Sequence, residues 1–572
     1  MRSTAPVRRA RTARRWTDPP CQDTRRSARA TDAERPARTA DARGCRDQTV
    51  LASTRAANGV QVSQDCEVIV VGGGPVGVMA LALLGHAGVR AVGIEREPEL
   101  WEQARAVHFD GETVRSFQSM GLGEELSARI KPMCDYRMEN EAGETLVAHA
   151  TGQMGSQAWH SEVLFHQPEV DALLRAEVER LADVELRLGT TLLDIQQGDG
   201  SVRCTVRTPD GTTQTLTARW VIACDGATST VRRTLGISGE NLGTDDPWLV
   251  VDGHLRGAAG IKGDMVFLGR HTRPALWIRL PGDRVRMEFK VLPEDDREEI
   301  ATPAGIARLS RGVLTPQNFE PDRIAVYTFR ARLATSWRVG NVFLAGDAAH
   351  LAPPLFGQGL CSGLRDVANL VWKIRLVSRG RAPESLLDTY ESERKDHARY
   401  WVQQAATMAG LVQTTDPVMA AGRDAHIRAN PADGYPSAPA LGPGTHTGPA
   451  DPHAGRISMQ PLLPDGTRLD DLVGRRFLLA ATPELTAGLP DPVRKALEEE
   501  PEVAVLTSPQ HVGPLLTSVE APAVLVRPDR YVLGTAHTPE GLEALLRLLP
   551  LAVAPEPRRE MSPPQQENIP QA

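Results

Sequence analysis

Short apolar runs alternate with helix-spaced apolar residues along most of the chain. The run "CEVIVV", which begins at Cys66, has a β-branched apolar part, and glycines follow it at once. Such a run is typical of a strand that is buried on both faces. Strand-like and helix-like segments then alternate as far as "TYESERKDHARYW", near residue 400. This alternation predicts an α/β domain over residues 65–412, and the excess of strand-like runs at about 240–330 predicts a sheet-rich segment within it.

The pattern changes after that domain and at both ends of the chain. Residues 413–468, which include "ANPADGYPSAPALGPGTHTGPADPHAGR", are dense in Pro and Gly and predict a linker. In residues 469–553, the runs "RRFLLAAT", "EVAVLTS", "AVLVRPD" and "YVLGTA" predict strands, and "TPEGLEALLRLL" predicts a closing helix. Residues 1–64, an Arg-rich head, and residues 554–572 lack apolar periodicity, so we expect both to be disordered.

Composition narrows the class of protein. The 572 residues are 41% hydrophobic and 24% charged, and no apolar run reaches the ~18 residues of a membrane span. The seven cysteines form no CxxC pair, which argues against a disulfide framework or a metal site and favours a reducing cytoplasm. Net charge is −7, and an acidic body gives no reason to expect nucleic acid binding. The sequence does not fix the oligomeric state; a homodimer is the assembly considered.

The first glycine-rich segment, "GGGPVGVMALALLGHAG", follows the first strand-like run directly. Gly72 allows a tight turn, Gly74 lets the backbone approach a pyrophosphate, and Gly77 permits close packing of a helix whose N-terminus attracts anions. Glu95 ends the next strand, 23 residues after Gly72, where an acid accepts hydrogen bonds from ribose hydroxyls. This context favours a Rossmann-like dinucleotide site over an ordinary glycine-rich turn. The candidate contacts are Gly72, Gly73, Gly74, Pro75, Val76, Gly77, Glu95 and Arg96.

That segment fits NAD and FAD equally, whereas "GNVFLAGDAAHLAPPLFGQGLCSGLRDVANLVWKI" favours FAD. A strand is predicted to end at Gly346 and Asp347, and a Gly-Gln-Gly turn then starts a long helix with one apolar stripe. Its free N-terminus can meet the negative charge of a reduced flavin ring, while Asp347 can bind the ribityl hydroxyls. The alternative is an ordinary strand-turn-helix in which Asp347 is a cap. The candidate contacts are Gly346, Asp347, Pro354, Gly357, Gln358, Gly359 and Leu360.

Together these segments resemble the FAD-dependent aromatic hydroxylases, single-component flavoprotein monooxygenases of the 3-(3-hydroxyphenyl)propionate hydroxylase type. The resemblance is firm over about residues 66–400. It is looser in the tail, where "GRRFLLAA" and "VLVRPDRYVLG" are similar to the thioredoxin-like appendage of these enzymes. Because the tail has no cysteine, it can carry no dithiol chemistry. The expected fold class is therefore α/β: a Rossmann-like FAD-binding domain with a sheet-rich substrate segment, plus a small thioredoxin-like C-terminal domain.

The resemblance implies further contacts with the cofactor. In "WVIACDGATSTVRRTLGI", Asp225 and Gly226 match an Asp-Gly motif that serves the flavin pyrophosphate and the nicotinamide, and Arg232 offers charge for a phosphate. The alternative is a helix start that Asp225 caps. Arg105 and Gln167 fall where the family places flavin contacts, although such residues are more often surface or cap residues. Many relatives have "GQGMN" where residues 357–361 read "GQGLC", which puts the details of ring placement in doubt.

The resemblance also implies the reaction. The chain contains no second G-x-G-x-x-G. NADPH or NADH is therefore expected to bind only transiently, across the FAD domain, and to reduce the flavin there. O2 then gives a C4a-hydroperoxide that hydroxylates a phenol ortho to its hydroxyl group. The expected substrate is a small aromatic acid bound between the flavin and residues 240–330, where Arg273 or Arg286 could pair with its carboxylate, although surface roles are more common. No catalytic base is evident; His350 is a candidate, but a histidine there more often satisfies backbone groups.

Three other functions stay open at this point. A tailoring hydroxylase of a polyketide or an antibiotic shares the same motifs and a similar tail. An NAD-dependent dehydrogenase would use the first glycine segment but would leave "GDAAH" and "GQG" unexplained. A non-catalytic binding protein with a degenerate flavin fold would hold a flavin that NADPH does not reduce.

Overall fold

The computed structural model of the chain describes residues 65–99, 104–198, 200–243, 245–257, 260–431 and 436–551. The segments predicted to be disordered, residues 1–64 and 554–572, lie outside the described residues. Among the described helices, none combines the length and the apolar character needed to cross a bilayer. The described chain is a mixed α/β fold built on several sheets.

Strands and helices alternate along the described residues. The strands are β1 (Val68–Val71), β2 (Ala91–Ile94), β3 (His108–Asp110), β4 (Ile130–Pro132), β5 (Asp135–Glu139), β6 (Thr145–Ala150), β7 (Glu162–Phe165), β8 (Val184–Arg187), β9 (Thr191–Gly198), β10 (Ser201–Arg207), β11 (Thr213–Ala218), β12 (Trp220–Ala223), β13 (Gly239–Asn241), β14 (Asp246–Leu255), β15 (Met265–Leu268), β16 (Ala275–Arg279), β17 (Arg284–Lys290), β18 (Phe319–Phe329), β19 (Arg332–Ala334), β20 (Arg338–Val339), β21 (Val342–Leu344), β22 (His350–Leu351), β23 (Phe477–Ala481), β24 (Val503–Leu506), β25 (Ala523–Val526) and β26 (Val532–Ala536). The helices are α1 (Pro75–His86), α2 (Gly111–Gln118), α3 (Gly123–Ser127), α4 (Gln167–Arg180), α5 (Thr230–Thr234), α6 (Arg297–Ile300), α7 (Pro303–Leu309), α8 (Gln358–Ser378), α9 (Thr389–Val412), α10 (Pro417–Ala429), α11 (Leu469–Val473), α12 (Pro483–Ala487), α13 (Asp491–Glu499), α14 (Pro509–Ser518) and α15 (Pro539–Leu546).

The first sheet has six strands in the order β20-β21-β12-β1-β2-β8. All neighbours are parallel except the short β20, which runs antiparallel to β21. Every residue of β1, β2 and β12 is buried, which explains their unbroken apolar sequences. The chain leaves β1 toward β2 on one side and later returns as β12 on the other. The carboxyl end of β1 is therefore a topological switch point, where such sheets bind ligands.

The second large sheet has seven strands in the order β18-β14-β17-β16-β15-β5-β6. Strands β14 to β18 come from the predicted sheet-rich segment, but β5 and β6 come from residues 135–150, which the sequence did not assign to it. Side chains of one face, such as Trp277 and Met287, pack with α6 and α7. Those of the other face, such as Trp248 and Leu276, pack with the end of α9. This second face turns toward the first sheet and carries the residues discussed below.

The segment predicted to be a Pro/Gly-rich linker, residues 413–468, begins with a helix, and the prediction of a linker throughout is wrong there. Asp416 caps α10 by accepting hydrogen bonds from the N–H groups of Val418 and Met419, and Pro417 occupies the first turn. Proline suits that position because the N–H group that it lacks has no helical partner there. Prolines and glycines are dense only after α10. Their density there led to the prediction of a linker over the whole segment.

The C-terminal residues form a separate four-stranded sheet in the order β24-β23-β25-β26. β23 and β24 are parallel, whereas β25 and β26 are antiparallel to their neighbours. Buried ion pairs join this part to α2 and α9. Arg115 on α2 pairs with Asp470 at 2.7 Å, and Glu393 on α9 pairs with Arg527 at 2.9 Å and with Lys373 at 2.7 Å. These contacts, all at side chains with less than a tenth of their surface exposed, fix the C-terminal sheet against the first domain.

Candidate functional site

A central cavity of about 430 Å³ lies at the switch point of the first sheet, within the range of small-molecule sites. The second sheet forms its far wall through Met265, Leu276 and Ile278. The cavity brings together most of the residues that the sequence singled out, although they come from distant segments. The predicted contacts that line it are Gly72, Gly73, Gly74, Pro75, Val76, Glu95, Arg96, Arg105, Gln167, Asp225, Gly226, Asp347, Pro354, Gly357, Gly359 and Leu360. Gly77, Gly346 and Gln358 do not line it.

The turn between β1 and α1 has the tight geometry that its glycines predict. Gly72 has a φ of +106°, and a Cβ atom there would lie 2.4 Å from the carbonyl oxygen of Cys224. A Cβ on Gly77 would lie 1.9 Å from the carbonyl oxygen of Gly72, so only glycine lets α1 start this close to the strand. Gly74, by contrast, has open space where its Cβ would be. No side chain caps α1, so its first N–H groups remain available at the cavity.

Glu95 stands at the end of β2, beside that turn. Its Oε2 accepts a hydrogen bond from the N–H of Gly73 at 2.6 Å, and its Oε1 accepts one from the N–H of Glu97 at 3.0 Å. Arg96 is exposed, and its Nε donates to Glu97. The carboxylate of Glu95 is therefore oriented by backbone groups at the edge of the cavity.

Asp225 follows β12 and uses its two carboxylate oxygens differently. Oδ2 accepts hydrogen bonds from the N–H groups of Thr230 and Val231, as the cap alternative predicted. Oδ1 is buried with no hydrogen-bond partner among the described residues. Arg232, expected to offer charge for a phosphate, instead donates to the carbonyl oxygens of Ala348 and Ala227, and it does not line the cavity. The structure thus contradicts the prediction for Arg232, because its guanidinium group is used to hold two loops together.

The later glycine segment forms the opposite side of the cavity. Asp347 lies in a short 3-10 turn and opens into the cavity, and burial within the surrounding fold raises its pKa, although His350 and Arg105 oppose that shift. The turn at Gly357 has a φ of +64°, and a Cβ there would lie 2.3 Å from the ring of His108. Gly357 precedes α8, which also starts without a side-chain cap. The N-termini of α1 and α8 therefore both face the cavity with free N–H groups.

Gln358 points away from the cavity. Its Nε2 donates to Asp110 at 3.2 Å, and its Oε1 accepts a hydrogen bond from Arg365 at 2.9 Å. These buried partners hold the side chain of Gln358 inside the protein, so a cofactor contact at this residue stays a prediction for its backbone alone. Only the backbone of this turn can face the cavity.

His350 is also turned inward. Its Nε2 lies 2.7 Å from Oδ2 of Asp366, which accepts a hydrogen bond from the N–H of Gly346 at 3.1 Å. Its ring stacks on Trp337, and it is almost fully buried. Since His350 does not line the cavity, the arrangement gives it a structural role and does not support its candidacy as a base.

Gln167 holds the segment that carries Arg105. Its Oε1 accepts hydrogen bonds from the N–H groups of Arg105 and Ala106 at 2.7 and 2.8 Å. Its Nε2 donates to Asp171, whose pKa burial raises to about 6. Gln167 therefore fixes the backbone from which Arg105 reaches into the cavity.

Sequence reasoning missed His108, which lines the cavity, and Glu162, which lies behind it with 2.5 Å between Nε2 of His108 and Oε2 of Glu162. Burial lowers the pKa of His108, but hydrogen bonds to Cys361 and Glu162 outweigh that effect and raise it to about 10. The pair is not evident from the sequence because 54 residues separate its members. The one available signal was the glutamate that begins the otherwise apolar and fully buried strand β7.

The strand β17 supplies two further charged residues to the cavity, Arg286 and Glu288. Arg286 binds both oxygens of Asp252 at 2.6 and 3.0 Å and also donates to the carbonyl oxygens of Ala104 and Arg105. Arg286 is thus fully engaged inside the protein. Arg273, the other arginine considered for a substrate carboxylate, pairs with Asp295 and does not line the cavity.

The comparisons with known proteins agree with this architecture. A family model described as FAD binding domain matches residues 65–405. A relative named "Probable NADH-specific resorcinol 4-hydroxylase", from Rhodococcus jostii (strain RHA1), is 32% identical over 519 residues, which cover 87% of this chain and 97% of that protein. The chain belongs to the FAD-dependent aromatic hydroxylases. The cofactor of this hydroxylase is FAD, and the enzyme is a flavoprotein monooxygenase.

Two further comparisons place the hydroxylase within its family. A 3-(3-hydroxy-phenyl)propionate/3-hydroxycinnamic acid hydroxylase from Comamonas testosteroni is 36% identical over 347 residues, which cover 59% of this chain and 57% of that protein. Among solved structures, the flavin-dependent monooxygenase PieE, in complex with FAD and substrate, matches with a TM-score of 0.71 at 23% identity. That match covers 85% of this hydroxylase and 100% of PieE, and at this identity it shows the fold alone.

Proposed function

We propose that this hydroxylase adds oxygen to a small phenol held between FAD and the inner face of the second sheet. One observation carries the proposal: a single cavity runs from the uncapped starts of α1 and α8 to the apolar residues of β15 and β16. The first end suits a phosphate-bearing cofactor, and the second suits an aromatic ring.

The residues of the cavity fit FAD. Open space at Gly74 beside the uncapped start of α1 suits the pyrophosphate, and Glu95 at the end of β2 suits the adenosine ribose. The unpartnered Oδ1 of Asp225 and the carboxylate of Asp347 can accept hydrogen bonds from cofactor hydroxyls. We therefore assign these contacts to FAD, together with backbone contacts from Gly72, Gly73, Pro75, Val76, Gly226 and Pro354.

The flavin ring belongs at the start of α8. Open space at Gly359 allows a planar ring to approach the backbone N–H groups there, and these stabilise negative charge on a reduced flavin. His108, charged beside Glu162, adds positive potential behind Gly357. Arg105, whose backbone Gln167 positions, also lines the cavity.

FAD supplies the redox chemistry, since it takes two electrons from a nicotinamide cofactor and, with O2, transfers one oxygen atom to the ring. The balance is a phenol, O2, NAD(P)H and a proton giving a diol, water and NAD(P)+. The R. jostii relative is named as NADH-specific, so we propose NADH as the first co-substrate to test. The protein itself supplies positioning and an apolar wall at the substrate end of the cavity.

The names of the relatives indicate the size and chemical class of the substrate. Their names include a resorcinol hydroxylase and 3-(3-hydroxyphenyl)propionate hydroxylases, all of which act on small rings with a phenolic hydroxyl group. We propose a substrate of this size, with 3-(3-hydroxyphenyl)propionate and resorcinol as the first two compounds to assay. A larger polyketide is the alternative within the same chemistry.

We further propose that the C-terminal sheet is a thioredoxin-like appendage. Its order β24-β23-β25-β26, with one parallel pair and two antiparallel pairs, supports this assignment. It contains no cysteine and so can carry no dithiol chemistry. A cytoplasmic location and a homodimer stay predictions from the sequence.

Anaerobic reduction of the purified protein tests the proposed function. We expect a yellow protein whose flavin absorbance is bleached by NADH, faster when resorcinol or 3-(3-hydroxyphenyl)propionate is present. Admission of O2 should then give a product heavier by one oxygen atom, and ¹⁸O2 should label it. A protein that cannot be loaded with FAD would overturn the proposal. Fast reduction without hydroxylation of either compound would move the substrate to larger aromatics.

A further inference from the structure

Glu288 lies in unusual surroundings for a carboxylate. It is 2% exposed on β17 and pairs across the second sheet with Val250 and Leu276. The other residues of this sheet that line its part of the cavity are Met265, Leu276 and Ile278, all apolar, and Arg286. A carboxylate in such a place is costly unless a partner or a ligand satisfies it.

No side chain or backbone group among the described residues satisfies Glu288. Oε2 is buried without a hydrogen-bond partner, and Oε1 lies 3.8 Å from Nη1 of Arg286, beyond hydrogen-bond range. Arg286 is already bonded to Asp252 and to two carbonyl oxygens. Burial raises the pKa of Glu288 to about 7, and the charge of Arg286 opposes that rise. Glu288 thus has unused acceptor capacity at the apolar end of the cavity.

We propose that Glu288 is the group that accepts the hydrogen bond of the substrate's phenolic hydroxyl and takes its proton. This inference rests on the proposed function and deepens it. The phenolic O–H bond breaks, the proton moves to a carboxylate oxygen of Glu288, and the electron pair stays on the phenolate oxygen. No electrons are exchanged. The phenolate is richer in electrons at the ring positions beside the oxygen, where hydroxylation occurs.

The charged groups around Glu288 are consistent with this role. Arg286 on β17 and Arg323 on β18 favour the ionised carboxylate, and Asp252 on β14 disfavours it. Other charged residues that line the same cavity include Arg105, His108 and Asp347. A group poised near neutral pH is the most effective general base at that pH. A merely structural Glu288 would instead serve to balance Arg286, and this role makes different predictions.

The test uses the FAD-loaded enzyme and measures the ionisation of the bound phenol itself. Resorcinol is titrated into the wild type, Glu288→Gln and Glu288→Asp across a range of pH, and the ultraviolet difference spectrum reports phenolate. Glu320→Gln on β18 is the matched control, because Glu320 is an exposed glutamate of the same sheet. Thermal unfolding and FAD content confirm that each variant is folded and loaded.

We expect wild type and Glu320→Gln to show bound phenolate at neutral pH, whereas Glu288→Gln should need a higher pH by one unit or more. Hydroxylation at neutral pH should fall by about 10²–10⁴-fold in Glu288→Gln, the usual contribution of a general base, with partial recovery in Glu288→Asp. An unchanged phenolate signal and pH profile in Glu288→Gln would overturn the inference while leaving the proposed function intact. If the wild type neither binds nor hydroxylates any phenol, the proposed function and the role of Glu288 are both overturned.

Discussion

Gly74 allows cofactor binding to be separated from folding. It precedes α1 with φ −70° and ψ 176°, a conformation that alanine adopts without strain. Its Cβ would meet no atom within 4 Å, because it would project into the space assigned to the pyrophosphate. Gly74→Ala should therefore leave the apoprotein as stable as the wild type while it weakens the binding of FAD.

The size of the effect follows from the hydrogen bonds at risk. A methyl group at Gly74 would hold the phosphate away from the first N–H groups of α1. It would remove or strongly weaken one hydrogen bond between those N–H groups and the phosphate. A hydrogen bond to a charged group is worth about 1.5–3 kcal/mol, which corresponds to about 10–100-fold weaker binding. The Cβ of Gly77→Ala would instead lie 1.9 Å from the carbonyl oxygen of Gly72, so that variant should lose about 1–3 kcal/mol of stability or more.

The assay compares three alanine variants. Flavin fluorescence gives the Kd of FAD for each apoprotein, and urea unfolding gives the free energy of unfolding. Gly422→Ala is the control, since Gly422 lies in α10 with open space around its Cβ and should gain up to about 1 kcal/mol of stability with unchanged FAD binding. If Gly74→Ala binds FAD as tightly as the wild type, the pyrophosphate does not lie at this turn and the assignment is refuted.

Three further outcomes are expected. Glu393→Gln should lower the free energy of unfolding by about 3–5 kcal/mol in urea, because it leaves two buried cations short of a charge. Burial opposes ionisation of Glu393, but the two cations outweigh it and lower the pKa of this carboxyl group. Its contribution to the free energy of unfolding is therefore present above the unfolded-state pKa of about 4.3 and is lost as the pH falls below that value. The wild type should lose more stability in acid than the variant does. His350→Asn should cost about 1–3 kcal/mol of stability without moving the pH profile of hydroxylation, and a shifted profile would restore its candidacy as a base. Gln167→Ala removes the acceptor for two backbone N–H groups and should weaken FAD binding about tenfold in a fluorescence titration, whereas an unchanged Kd would show that the Arg105 segment needs no such support.

The sequence predicted best what local geometry determines. The glycines of the first turn are constrained by atoms within a few residues or on an adjacent strand, so their spacing alone specified the turn. The apolar stripe of α8 likewise marked a helix that is buried along most of its length. These elements gave the cofactor end of the cavity, because phosphate binding depends on backbone groups whose positions follow from the fold.

The substrate end depends on pairings that the sequence does not reveal. In "RVRMEFKV", charged residues alternate with apolar ones, a pattern typical of a strand with one face in water. In the structure, however, both faces of β17 are buried. The apolar face packs with α6 and α7, and the charged face turns toward the cavity, where Arg286 meets Asp252 and the Oε2 of Glu288 has no hydrogen-bond partner among the described residues. This face is interior because residues distant in sequence lie against it, among them Ala104 and Arg105, whose carbonyl oxygens Arg286 binds.

The direction of individual side chains was the other feature that the sequence could not predict. Arg232, His350 and Gln358 all lie within the correct segments, yet each turns away from the cavity toward buried partners. Position in a motif constrains the backbone, whereas direction depends on distant acceptors such as Asp366 and Asp110. The start of α10 did carry a signal, the Asp416-Pro417 cap, which the surrounding prolines obscured.

The ion pairs beneath the C-terminal sheet restrict how this enzyme could be shortened or recombined. A protein that ended after residue 412 would keep Arg115 but lose Asp470, and Glu393 would lose Arg527. Each lost ion pair leaves a buried charge without its partner, so the shortened protein should unfold or aggregate. A C-terminal unit borrowed from a relative would be compatible only if it presents an aspartate and an arginine at these two points. Its sequence is therefore constrained where it meets the first domain, not only at these two side chains but also at Glu502, which pairs with Arg375 on α8.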